Sequence, residues 1–150
     1  MTHSGLAGAT TTTIVSVRVC VLGGIGLETG DGRVLPVTSP RPRLILAVLA
    51  SRTGEVVTDD ALAEAIWGDS TPPSVRTALQ TYVSALRDVL EPDRPRRSQG
   101  RFVARERDGY RLCTDVDELD LARFDALIQR ARAVHDNDPT LAAELLDQAL

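Results

Sequence analysis

A run of polar side chains between Val75 and Leu90 combines the residue types that proteins use to read nucleic acid. Apolar residues recur three and four positions apart in this run, which predicts a helix with one buried face. The opposite face has no acid before Asp88 and carries hydroxyls, an amide and guanidiniums: Arg76, Thr77, Gln80, Thr81, Ser84 and Arg87. Such groups hydrogen-bond base edges and phosphates, so this face is a candidate recognition surface.

A second basic feature follows this helix. Residues 94–111 hold seven arginines and only two acids. Two short β-prone runs flank Asp108-Gly109 and predict a hairpin with Arg105 and Arg107 near its tip. A helix for the major groove, followed by a basic hairpin for the backbone or the minor groove, is the plan of a winged helix.

The charge of the chain is unevenly distributed. The net charge is −4, but residues 112–150 alone hold nine acids against three arginines. An acidic total therefore does not exclude an anionic partner for the basic segment. All 17 basic residues are arginine, which suits bidentate contacts with phosphate and guanine. The composition bias of a GC-rich genome would give the same usage, so this feature alone does not decide the function.

A sheet and a helix are predicted ahead of these features. Residues 15–37 contain alternating β-branched side chains interrupted by Gly23-Gly24 and by Gly30-Asp31-Gly32, which predicts a small antiparallel sheet. A helix is predicted from about Pro40 to before Gly54, because proline suits the first turn.

Two further helices complete the predicted domain. The second begins after Thr58, whose hydroxyl can cap it, and ends at Trp67-Gly68. The third has Ser74 as a candidate cap and runs to about Leu90. Trp67 is expected to anchor the second helix in the core, whereas Tyr82 lies at the edge of the two faces and suits either the core or a phosphate.

The residue content argues against several other classes of protein. We find no nucleophile paired with a base, no metal-ligand spacing and no phosphate-binding loop, so we expect no enzyme, no cofactor and no metal. Cys20 and Cys113 are expected to be free thiols. The apolar stretches are too short for a bilayer crossing, and residues 1–13 lack the basic region of a signal peptide. We therefore expect a disordered tail at 1–13, no membrane partner and a cytoplasmic location.

Residues 115–150 predict two amphipathic helices. Leu121, Leu127 and Ile128 share one face of the first, and the second begins near Leu141. Two amphipathic helices alone cannot bury both of their apolar faces, and an exposed apolar stripe would be adhesive. This segment is therefore expected either to belong to a longer protein or to pack on the winged helix or on a second chain.

Four motifs occur in order along the chain. They are Ser39-Pro-Arg-Pro-Arg-Leu leading to Gly54-Glu-Val-Val, then Leu62-Ala-Glu-Ala-Ile-Trp-Gly-Asp, then Pro72-Pro-Ser-Val-Arg-Thr-Ala-Leu-Gln-Thr-Tyr-Val-Ser-Ala-Leu-Arg, and finally Gly109-Tyr-Arg-Leu. Over residues 17–114 the chain thereby resembles the OmpR-type DNA-binding domain of the Streptomyces antibiotic regulatory proteins. The segment from Val116 is similar to the start of the bacterial transcriptional activation domain that follows it in that family.

The resemblance implies an α+β fold. It comprises a winged helix-turn-helix with an N-terminal antiparallel sheet, three helices and a C-terminal β-hairpin wing, followed by two helices of a helical-repeat module. The implied division is a disordered tail at 1–13, the OmpR-type domain at 14–114 and the start of the activation domain at 115–150.

The implied function is activation of transcription of a secondary-metabolite gene cluster. The partners would be double-stranded DNA, bound as direct repeats near the promoter −35 region, and RNA polymerase holoenzyme, with possible self-association on DNA. The DNA-binding residues carried over are Arg76, Thr77, Gln80, Thr81, Ser84 and Arg87 from the helix, and Arg105 and Arg107 from the wing. Glu106 and Asp108 depart from the family pattern by making the wing tip less basic. The acidic surface elsewhere keeps open an alternative, a winged-helix module that binds protein and has lost specific DNA binding.

Overall fold

The computed structural model describes residues 18–95 and 98–150. The predicted tail and the expected start of the first strand lie outside these residues. The elements are the strands β1 (Arg18–Cys20), β2 (Gly26–Glu28), β3 (Val34–Pro36), β4 (Val56–Thr58), β5 (Val103–Arg105) and β6 (Gly109–Leu112), and the helices α1 (Pro40–Ala50), α2 (Asp59–Trp67), α3 (Val75–Leu90), α4 (Asp120–Val134) and α5 (Pro139–Ala149), with a 3₁₀ turn at Val116–Glu118. This α+β arrangement confirms the predicted winged helix.

The strands β1, β2 and β3 form the predicted antiparallel sheet in that order. Val19 lies opposite Leu27, and both side chains are buried in the core. Gly32 adopts φ +80° in the turn before β3, a backbone conformation that side chains with a Cβ rarely adopt. The glycine turns seen in the sequence therefore do join the strands.

The three helices pack through one continuous apolar core. The helix α2 begins as predicted, because Thr58 Oγ1 accepts a hydrogen bond of 3.1 Å from the backbone N–H of Ala61. The helix α3 contributes a buried stripe to the core and packs against α1 and α2. The members of that stripe are Leu79, Val83, Leu86 and Leu90.

Ser74 does not cap α3 through its side chain, contrary to the prediction. The residues before α3 already turn like a helix, because the N–H of Val75 donates to the carbonyl of Pro72 at 3.2 Å. Ser74 consequently has φ −95° and ψ 27°, outside the extended conformation from which a capping hydroxyl reaches back to the helix.

The hairpin of β5 and β6 is the predicted wing, and we use that name for residues 103–112. Its strand β6 also pairs with β4, a three-residue strand that the sequence analysis missed. Gly109 makes this pairing possible, since a Cβ there would lie 2.0 Å from the carbonyl oxygen of Val57. The wing is therefore anchored along one edge to the strand that leads into α2.

The start of the C-terminal helical pair is attached to the first sheet. Leu119 is fully buried and forms a parallel bridge with Val19. The Asp120 carboxylate accepts hydrogen bonds of 2.9 Å from the backbone N–H groups of Val21 and Leu22. The predicted contact of this segment with the winged helix is thus present, and the packing continues across residue 114.

The helices α4 and α5 also pack against each other. Leu127, Ala131 and Leu145 form a small second core between them. Leu141 and Leu146 on α5 keep 37% and 43% of their surface exposed. The pair therefore buries part of its apolar surface, in keeping with the limit expected for two helices of a repeat module.

The attachment at Asp120 leads to a stability prediction. Asp120→Ala removes the acceptor of three backbone N–H groups, those of Val21, Leu22 and Leu121, so the free energy of unfolding should fall by about 1–3 kcal/mol. Asp125→Ala, a change of the same charge at an exposed position on α4, is the matched control and should change it by less than about 0.5 kcal/mol. Urea unfolding monitored by circular dichroism measures both; equal effects would show that the carboxylate contributes no attachment.

Candidate nucleic-acid interface

The outward face of α3 carries most of the predicted recognition residues together. The side chains of Arg76, Thr77, Gln80, Thr81 and Ser84 are all exposed. They lie opposite the buried stripe of the same helix, because residues three and four apart share a face. The face therefore presents a guanidinium, hydroxyls and an amide from one rigid helix.

Two features leave this face available for an external partner. No ion pair within residues 18–95 and 98–150 involves Arg76. The nearest acid along the helix, Asp88, pairs with Arg94 at 3.1 Å. Thr81 makes one local bond, in which its hydroxyl donates to the backbone carbonyl of Thr77 at 3.0 Å. Its oxygen keeps lone pairs that can accept a further hydrogen bond.

Arg87 is placed differently from the other predicted residues. It is half-buried, and its Nε and Nη2 donate to the carbonyl oxygen of Val103 at 2.9 and 2.6 Å. Burial lowers the pKa of this guanidinium from its ordinary value, although Arg remains charged at neutral pH. The structure thus directs the side chain of Arg87 toward the wing and not to the exposed face.

The predicted wing residue Arg105 is engaged by an acid from another element. Its Nη1 and Nη2 bond the two carboxylate oxygens of Asp59 at 2.6 and 2.9 Å, and its guanidinium lies 4.6 Å from the ring centre of Tyr110. The hydrogen bond to Asp59 raises the pKa of Arg105. This bidentate geometry is the one that Arg uses to bind phosphate, so Asp59 occupies groups that a phosphate would use.

Arg107 lies at the exposed tip of the wing. In the part of the chain that the structure describes, it makes no ion pair. Its neighbour Glu106 pairs with Arg111 at 2.6 Å, which neutralises one of the two acids that make the wing tip less basic. Arg107 is therefore the better placed of the two predicted wing residues for contact with an anion.

Aromatic residues fix α2 relative to the recognition face. The rings of Trp67 and Tyr82 lie 6.0 Å apart and are both half-buried against the core. Arg41 of α1 donates to the carbonyl of Ile66, and its guanidinium lies 5.8 Å from the Trp67 ring centre. Trp67 thus has the anchoring role predicted for it, and Tyr82 packs against it.

Residues 18–95 and 98–150 contain no group of three or more His, Cys, Asp and Glu side chains arranged to hold a metal ion. None of their helices combines the length and the apolar character needed to cross a membrane. The exposed face of α3 and the tip of the wing carry six of the predicted DNA-binding residues: Arg76, Thr77, Gln80, Thr81, Ser84 and Arg107.

A helix-turn-helix formed by α2 and α3, followed by a β-hairpin, defines a winged helix, here with a helical pair attached. Residues 35–112 match the family model described as "Transcriptional regulatory protein, C terminal". The chain belongs to this family. Its similarity to the Streptomyces regulators AfsR, RedD and DnrI confirms the resemblance to the Streptomyces antibiotic regulatory proteins.

Relatives extend the similarity beyond the winged helix. The chain is 35% identical over 122 residues to regulatory protein AfsR of Streptomyces coelicolor, covering 80% of this chain and 12% of AfsR. It is 30% identical over 137 residues to transcriptional regulator RedD of the same organism, covering 89% of this chain and 38% of RedD. The chain thus spans well under half the length of either relative.

A solved structure shares most of this arrangement. The structure of EmbR from Mycobacterium tuberculosis, in complex with a low-affinity phosphopeptide, superposes with a TM-score of 0.76 at 28% identity. The match covers 90% of this chain and 35% of EmbR. It therefore extends beyond the winged helix into the helical pair.

The pairing of Arg105 with Asp59 leads to a prediction about anion binding. Asp59→Asn should free the Arg105 guanidinium, so the protein should elute from heparin at higher salt than the wild type. Asp60→Asn is the matched control, because it removes the same charge from the same helix turn at an exposed residue that does not bond Arg105. Equal shifts for both variants would show that only net charge matters.

Proposed function

We propose that this chain binds specific sites on double-stranded DNA and activates transcription there. The observation that carries the proposal is the exposed face of α3, which presents Arg76, Thr77, Gln80, Thr81 and Ser84 on one side of a helix whose other side is buried. Membership of a transcriptional regulatory family supports it.

In this proposal α3 is the recognition helix and lies in the major groove. Arg76 lies in the first turn of α3, the end of a recognition helix that contacts base edges. The guanidinium of Arg76 can donate two hydrogen bonds, to O6 and N7 of guanine. The Gln80 amide can form a bidentate pair of hydrogen bonds with adenine. The hydroxyls of Thr77, Thr81 and Ser84 would contact bases or phosphates.

The wing would contact the DNA backbone beside this groove. Arg107 supplies an exposed guanidinium, and Arg105 adds a second where a phosphate competes with Asp59. We assign no base contact to Arg87, because two of its nitrogens already bond Val103. The proposed DNA-binding set is therefore that of the sequence analysis with Arg87 removed.

A promoter is the site at which this chain would act. We infer that the chain acts on a secondary-metabolite gene cluster in the cytoplasm, binds direct repeats near the −35 region and contacts RNA polymerase holoenzyme, with self-association on neighbouring repeats. The similarity to AfsR and RedD supports this assignment. Half-sites should then recur at about one helical turn, 10 to 11 base pairs, so that two copies lie on one side of the duplex.

Selection of duplexes from a random library by the purified chain, at two salt concentrations, tests the proposal. We expect enrichment of a short directly repeated motif that persists at the higher salt, since base contacts depend on salt less than phosphate contacts. An inverted repeat would contradict the direct-repeat arrangement. Failure to retain any duplex at low salt would overturn the proposal in favour of a protein-binding winged helix.

The selected site allows a test of the recognition face. Arg76→Ala should weaken binding to it by about 1–3 kcal/mol, and should relax the preference for guanine at one position, because a bidentate base contact is lost. Arg130→Ala, an exposed arginine of α4, controls for the loss of one positive charge. Titrations with the selected duplex and with single-base variants measure both effects; identical affinities for the two protein variants would refute the assignment of Arg76.

A further inference from the structure

Side chains at the C-terminal end of α3 hydrogen-bond the backbone at the start of β5, the first strand of the wing. Arg87 donates two hydrogen bonds to the Val103 carbonyl, and the Glu91 carboxylate accepts one of 2.9 Å from the Phe102 N–H. Phe102 and Val103 are themselves buried in the main core. The start of the wing is therefore attached to the recognition helix by side chains as well as by apolar packing.

A glycine provides the space for this attachment. A Cβ at Gly100 would lie 2.8 Å from Nε of Arg87 and 3.0 Å from its Cδ. Real Cβ atoms essentially never approach other atoms so closely, so a side chain at Gly100 would displace Arg87. The place of Arg87 thus depends on a residue outside both the helix and the hairpin.

We propose that Arg87 is a positioning residue for DNA binding: through Val103 it fixes the wing against the recognition helix, so that Arg107 and the exposed face of α3 engage one duplex together. This inference rests on the proposed DNA-binding function. It gives Arg87 an effect on affinity without a contact of its own with DNA.

The geometry favours this role over a direct contact. Turning the guanidinium of Arg87 from the wing to the exposed face of α3 would break both of its bonds to the Val103 carbonyl. That carbonyl belongs to a residue with no exposed surface, and a buried acceptor left without a partner is costly. Arg76, on the exposed face of the same helix, has no comparable contact within the described residues.

Amide hydrogen exchange of the free protein tests the attachment without DNA. Arg87→Met should accelerate exchange in residues 103–112 more than in α3, because the wing loses its attachment while the buried stripe of the helix remains. Arg76→Met is the matched control on the same helix and should leave the wing unchanged. Unchanged exchange in the Arg87 variant would overturn the inference.

A double-mutant cycle with Arg107 tests the coupling on DNA. If Arg87 positions the wing, Arg107→Ala should weaken binding in the wild type but change the affinity of Arg87→Met by less than about twofold. A direct phosphate contact by Arg87 would instead make the two losses additive, which would refute the inference. The same cycle with Arg76→Met should be additive.

Gly100→Ala repeats the test with the charge of Arg87 retained, and it serves if Arg87→Met does not fold. We expect the same faster exchange in the wing and the same loss of the Arg107 contribution. Full retention of both wild-type properties would overturn the inference. If the wild type binds no duplex, the proposed function fails and the coupling fails with it, whereas the exchange experiment still reports whether Arg87 holds the wing.

Discussion

Burial of one face of α3 is the constraint on which the rest of the structure depends. Leu79, Val83, Leu86 and Leu90 belong to one core that also includes residues of both sheets and of the other two helices of the winged helix. Burying four such side chains stabilises the fold by about 1.5–3 kcal/mol each relative to leaving them exposed. Rotation of the helix would expose them, so the orientation of its polar face is determined by packing.

Local patterns were sufficient to predict much of the fold. The 3.6-residue periodicity located α3, and Thr58 marked the start of α2, because both signals lie within a few residues of chain. The strand β4 was missed because three residues are too few for a period-two pattern. It is stabilised by β6, whose residues lie about fifty positions later. The prediction that Ser74 caps α3 was wrong, because the turn before the helix sets the backbone angles of Ser74.

The candidate site was only partly predictable from the sequence. Exposure of Arg76, Thr77, Gln80, Thr81 and Ser84 follows from periodicity alone. The partners of Arg87 and Arg105 do not, because Val103 is 16 residues from the first and Asp59 is 46 from the second. Sequence spacing identifies which residues share a helix face, but it does not show which guanidiniums the folded chain itself engages.

The attachment of α4 to β1 has a consequence for geometry on a promoter. Leu119 and Asp120 join the helical pair to the sheet. The direction of α5 relative to α3 is therefore set by packing and not by a flexible linker. On the proposed operator, that direction follows the rotational phase of the double helix. Moving the operator by half a turn, about 5 base pairs, would point α4 and α5 away from a neighbouring protein, while a full turn would restore their alignment.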